Sequence, residues 1–157
     1  MGKSDMVRAY AESLLKQILG TNELQRDPDG DYRVRHESAL YYVRVIPGVH
    51  DDPIVQVFAI VLADVAPVPK LFERLNTVNT QLHFARAFWV GNQVLIESEI
   101  VGEDLSLSGF EIACRSVARA ADYFGPRLAE EFGGKTAFAD EQGPDYEDPT
   151  VSFGQYL

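Results

Sequence analysis

The stretch Ile54-Val55-Gln56-Val57-Phe58-Ala59-Ile60-Val61-Leu62 decides how the rest of the chain is read. Side chains of a strand alternate between its two faces. Ile54, Val55, Val57, Phe58, Ile60, Val61 and Leu62 occupy both sets of positions, so both faces are apolar. A strand of that kind belongs in the middle of a sheet, covered on each side by helices or by a second subunit. Upstream, Ala39–Ile46 is also rich in β-branched and aromatic residues and stops at Pro47-Gly48; the central stretch itself gives way to Ala66-Pro67.

Further upstream, Asp27-Pro28-Asp29-Gly30-Asp31 is a dense turn signal between 23–26 and Tyr32–His36. Its three aspartates invite a calcium reading, but the later ligands and closing glutamate of an EF-hand loop are missing, and a hairpin turn is expected. Before it, Val7, Tyr10, Ala11, Leu14, Leu15, Ile18 and Leu19 recur at helical spacing, with Ser4 as a candidate cap and Gly20 as a left-handed end.

Downstream, a second helix is expected from Pro69, with Leu71, Phe72, Leu75, Val78 and Leu82 as its stripe and Asn76 and Asn79 beside it. Strands 84–90 and Gln93–Val101 then meet at Gly91-Asn92, which suits a two-residue hairpin. Val94, Ile96 and Ile100 face one way and Glu97 and Glu99 the other, the pattern of a half-buried strand near an edge. Ser108 and Glu111 read as a capping box for a third helix, whose stripe runs from Phe110 through Cys114 and Val117 to Phe132. Pro126 is expected to kink or break that helix after 123–125.

The chain divides at about 134. Residues 1–134 form the predicted domain, and 135–157 an acidic tail. Beyond Lys135 there are five acids and no base, with Gly143, Pro144 and Pro149 among them, a composition that resists packing into a core. Val151, Phe153, Tyr156 and Leu157 nevertheless give its end enough apolar surface to dock in a groove. Net charge is −10 over 157 residues, which repels a phosphate backbone and argues against nucleic-acid binding. Charged residues interrupt every apolar run, so no membrane span is expected. One cysteine and no signal-like N-terminus point to the cytoplasm.

No catalytic, metal or cofactor site emerges. Cys114 sits on an apolar stripe, where a small core residue is the ordinary reading. His36, His50 and His83 share no spacing, and His50-Asp51-Asp52 lacks further ligands. Glu97 and Glu99 could act as an acid–base pair, but a charged face protecting a sheet edge accounts for them.

The run Leu75-Asn76-Thr77-Val78-Asn79 resembles the LNxxN helix signature of the YbjN family, whose domain has the fold of type III secretion chaperones. Phe88-Trp89-Val90, the strand arm 94–100 and the ending Glu131-Phe132-Gly133-Gly134 are similar too, so the likeness covers about residues 5–134. It implies an α+β domain of order α-β-β-β-α-β-β-α, with helices packed on a twisted antiparallel sheet. It further implies a small acidic dimer around which extended client segments wrap, in a family labelled a sensory transduction regulator, with no enzymatic residues to carry over.

The expected function is a non-enzymatic, chaperone-like module, homodimeric and binding an extended segment of a partner protein. Its outer sheet face is expected to carry Tyr41, Trp89 and Leu95, with Val101 beside them, as an apolar interface patch. Asn76 and Asn79 either satisfy backbone groups or sit at a dimer or ligand surface. The alternative is a regulatory domain that binds a small ligand between helix and sheet near Asn76, Asn79 and His83.

Overall fold

The computed structural model describes residues 2–137. The elements run α1 (Lys3–Leu19), β1 (Gln25–Arg26), β2 (Tyr32–His36), β3 (Ala39–Ile46), β4 (Ile54–Leu62), α2 (Pro69–Gln81), β5 (Arg86–Val90), β6 (Gln93–Val101) and α3 (Leu107–Phe132). The six strands form one antiparallel sheet in the order β1-β2-β3-β4-β6-β5. The expected α+β order therefore stands, with the two-residue β1 added at one edge. The tail from 138 onward lies outside the described residues.

All three helices serve one face of the sheet. Ala11, Leu14 and Leu15 of α1, Leu71, Leu75 and Val78 of α2, and Phe110, Val117 and Leu128 of α3 share one core with Val43, Val57, Val94 and Ile96. Full burial of side chains this size stabilises by about 1.5–3 kcal/mol each. The register of β4 slips between Ile60 and Leu62, and after the slip Val61 and Leu62 both join that core. Such a bulge re-aims side chains locally, which explains why the apolar pattern of β4 runs out of phase at its end.

Three expected helix ends and turns form. Gly20 ends α1 at φ +64, and Gly91 and Asn92 turn the β5–β6 hairpin with positive φ at both positions. Asp27 organises the first turn: its Oδ1 accepts the amides of Asp29 and Asp31, both at 2.9 Å. Among the described residues no group of acids, histidines or cysteines could hold a metal ion. No helix among them is long and apolar enough to cross a membrane.

Others are corrected. Gly2, rather than Ser4, precedes the first turn of α1. Ser106, two residues before the expected cap, starts α3 by accepting the Gly109 amide at 3.2 Å. β6, expected near an edge, stands one strand in from the edge strand β5.

The third helix also continues through Pro126. A proline removes the amide that would bond to the carbonyl four residues earlier, here that of Asp122. The Ser38 hydroxyl stands 3.5 Å from that carbonyl, and the Ser38 amide donates to Asp122 Oδ1 at 2.9 Å. One residue on, the Arg127 guanidinium donates to the Tyr123 carbonyl at 2.7 Å and lies 3.7 Å over the Tyr123 ring. Side chains thus take up carbonyls near the proline, and the β2–β3 turn is tied to the helix at that point.

The Ser38 hydroxyl and amide hold the Asp122 carboxyl below its ordinary range. A depressed carboxyl stabilises the fold above its unfolded-state pKa, and that contribution is lost as pH falls through the folded-state value. Asp122→Asn is therefore expected to cost about 1 kcal/mol at pH 7. The difference from wild type should close as the pH drops below the usual Asp range, which denaturant melts across an acid series would read.

Candidate functional site

The second face of the sheet carries its own apolar cluster. Leu40, Tyr42 and Phe58 are 2%, 1% and 2% exposed, and the apolar residues packed against them are Leu95 and Ala137. Tyr42 and Phe58 face each other across β3 and β4 and stack at 5.3 Å with a 17° tilt. Ile60 pairs with Leu95, and Leu95 with Phe88, extending the apolar surface toward the β5 edge. Among the described residues no helix lies on this face.

Charged groups frame the cluster. The Arg44 guanidinium sits 4.6 Å over the Phe58 ring and donates to Asp31 through Nε at 3.0 Å. On the β5 side Arg86 reaches both Glu97 and Glu99, the latter at 2.9 Å, and lies over Phe88 at 5.3 Å. Burial, and then the neighbouring Glu99 carboxyl, push Glu97 above its ordinary value against the pull of Arg86. Both carboxylates are therefore engaged in a clamp. Tyr42 Oη and Asp27 Oδ2 are buried without a hydrogen-bond partner among the described residues. Burial carries the Tyr42 hydroxyl up to about 12, so it remains a neutral donor.

Of the residues expected on this face, Leu95 is there, and Val101 shares its side of β6. Tyr41 is 4% exposed in the helix-side core, where it meets the buried thiol of Cys114. Burial pushes Cys114 up to about 12, as suits an unreactive core residue. Trp89 also faces the helices. It packs edge-on against Phe72 of α2 at 6.1 Å, and its indole N–H donates to the Val65 carbonyl at 3.0 Å. Phe88 takes the outward place instead, and Val101, 47% exposed, lies at the far end of β6.

Sequence reading missed Leu40, Tyr42, Phe58 and Phe88. The signal was parity with charge: Leu95 shares its face with Glu97 and Glu99, Phe88 with Arg86, and Tyr42 with Arg44.

The two asparagines part company. Asn79 donates to the Ala87 carbonyl at 2.9 Å and accepts the Ala87 amide at 2.7 Å, bonding the outward backbone groups of β5. Asn76 is exposed, as is His83, so the three do not enclose a ligand. The clefts lie elsewhere. One of about 510 Å³ runs along Glu12, Lys16, Gln17 and Thr21, and one of about 190 Å³ opens between α1 and α3 above Tyr41 and Cys114. Asn79→Ala strands two backbone groups of β5 and should cost about 1–3 kcal/mol. Denaturant melts would read the loss, and hydrogen exchange at the Ala87 amide should quicken.

The same architecture recurs in solved proteins. A chain of the ExsC–ExsE complex superposes with a TM-score of 0.59 at 16% identity, covering 82% of this chain and 97% of that one. The HopA1–SchA chaperone–effector complex gives 0.55 at 11% identity, over 80% and 98%. YbjN from E. coli gives 0.52 at 14% identity, over 77% and 93%. At these identities the likeness shows the fold alone. No curated protein matches the sequence. The family model for T3SS (YopN, CesT) and YbjN peptide-binding chaperone 1, TY-Chap1, matches residues 5–140. This chain belongs to that family of peptide-binding chaperones.

Proposed function

We propose that this protein is a non-enzymatic, cytoplasmic chaperone that holds an extended segment of a partner protein against the outer face of its sheet. The observation that carries the reading is the apolar cluster of Leu40, Tyr42, Phe58 and Leu95 on the face that no described helix covers. Leu95 and Phe88 keep part of their apolar surface open beside it, framed by charge, which is the usual make-up of a protein-binding site. Membership in a peptide-binding chaperone family supports it, and the HopA1–SchA relative is itself a chaperone–effector complex. An extended segment suits this surface because its alternate side chains can lie on the cluster while its polar groups meet Arg44, Arg86 and the Tyr42 hydroxyl.

Homodimerisation belongs to the same reading, with contact on the α2–β5 side. Phe72 and Phe84 stand 45% and 74% exposed there, and Val68 is 41% exposed beside the same helix. Rings this open on a soluble chain favour burial against a second copy. Trp89, packed beneath Phe72, supports that patch from below.

Two measurements test the proposal. Light scattering should give a dimer mass for wild type and a monomer for Phe72→Ser/Phe84→Ser. Capture from the native cell extract should yield partners that Leu95→Arg no longer retains. Equal retention by Leu95→Arg sinks the client site, and a monomeric wild type sinks the dimer.

A further inference from the structure

The outer face carries a second apolar strip, apart from the cluster of Leu40, Tyr42, Phe58 and Leu95. Ile46 pairs with Ile54, and Ile54 with Val101, so their side chains stand in one row across β3, β4 and β6. Residues directly opposite in paired strands share a face, with Cβ atoms about 4.5–5.5 Å apart. Val101 is exposed, and Ile46 and Ile54 are half-buried. Between the strip and the cluster runs a polar row, in which Arg44 is held by Asp31 and Gln56 donates to Glu99 at 3.4 Å. The strip is therefore a surface of its own.

The connection from β3 to β4 extends it. Gly48 lets the chain turn tightly against the strip: a Cβ there would collide with the Asp52 carbonyl oxygen and stand 3.0 Å from Ile54 Cγ1. Val49 follows at 73% exposure. His50 and Asp51 then take φ of 59° and 63°, a left-handed conformation that such residues keep only where the surroundings impose it. An isolated exposed valine needs no explanation. A paired row of apolar side chains, with Val49 displayed beside it, forms a contiguous patch.

Acids surround this patch. Asp51 and Asp52 flank it from one connection, Glu103 and Asp104 from the other, and Glu99 from the polar row. The two connections are tied together, since the Gly102 amide donates to the Pro53 carbonyl at 2.7 Å and Lys3 bridges Asp52 and Glu103 at 3.2 and 2.8 Å. Asp51 and Asp104 have no ion-pair partner among the described residues.

We propose that this strip docks an extended partner segment whose alternating apolar side chains are flanked by lysine or arginine. Three neighbouring strands make a row about 10 Å wide, which two or three alternate residues of an extended chain cover. Basic residues at either end then meet the acids of the rim. A second copy is the poorer occupant, because two such strips face to face would set acid against acid. The inference rests on the reading of the protein as a binder of extended segments, and it adds a second contact with its own chemistry.

The test titrates synthetic peptides into the full chain and reads methyl NMR. Lys-Lys-Val-Ser-Val-Ser-Val-Lys-Lys should shift Ile46, Ile54 and Val101 and leave Leu71 and Leu75 beneath α2 in place. Its affinity should fall as salt is raised. Replacing its lysines by glutamate, or its valines by serine, should weaken binding at least about tenfold. Val49→Ser/Val101→Ser should weaken the basic peptide to the same degree, and Asp51→Asn/Asp104→Asn should weaken it and flatten the salt dependence.

Unmoved strip methyls overturn the proposal, as does equal binding of the glutamate or serine peptide, or of either double variant. Shifts at the strip that arise on concentrating the protein without peptide, and persist in Phe72→Ser/Phe84→Ser, assign it to a second copy and overturn the proposal too. The outer cluster fails by a different result, unchanged partner capture by Leu95→Arg, which leaves the peptide shifts at Ile46, Ile54 and Val101 as the measure of the strip.

Discussion

A sheet with apolar side chains on both faces has to be covered twice, and the three helices of this protein cover it once. Everything else follows from that imbalance. β3 and β4 place Val43, Val55 and Val57 under the helices, and the alternate positions carry Tyr42 and Phe58 to the other side. In the proposed function, an extended polypeptide supplies the additional layer on that second face. The titratable groups near the face are locked in ion pairs or held neutral by burial.

The helix-side core is built to make that second face rigid. The longest helix crosses β3, β4 and β6, and its proline falls where Ser38 and Arg127 can take over the carbonyls around it. A helix broken at that point would leave the ends of β3 and β4 without a common support. The short bridge between Lys135 and Ala63 then carries the chain from the back of the sheet to its front. The two sides of the sheet are thus joined through a few backbone contacts at one end of β4.

Much of this was legible in the sequence. Helical spacing in α1 and α2, the Gly91-Asn92 turn and the doubly apolar β4 gave the element order, because each depends on neighbours within a few residues. What the local pattern left open was the side of the sheet that each aromatic takes. Tyr41 and Tyr42 are adjacent, as are Phe88 and Trp89, and either member of each pair could face the helices on hydrophobicity alone. Long-range partners decide it: the Val65 carbonyl holds the Trp89 indole, and Cys114 lies against Tyr41. The fate of Pro126 was hidden for the same reason, since Ser38 lies 84 residues before the Asp122 carbonyl that the proline leaves without its amide.

Asn79 has a consequence beyond joining α2 to β5. An outermost strand with open amide and carbonyl groups is a template for fibril growth, and a protein that handles unfolded polypeptide meets such strands continually. By presenting a side-chain amide to Ala87, the helix imitates one peptide unit of a seventh strand and then stops. Sideways propagation is blocked at that register, and the rim of the sheet is closed where α2 meets it.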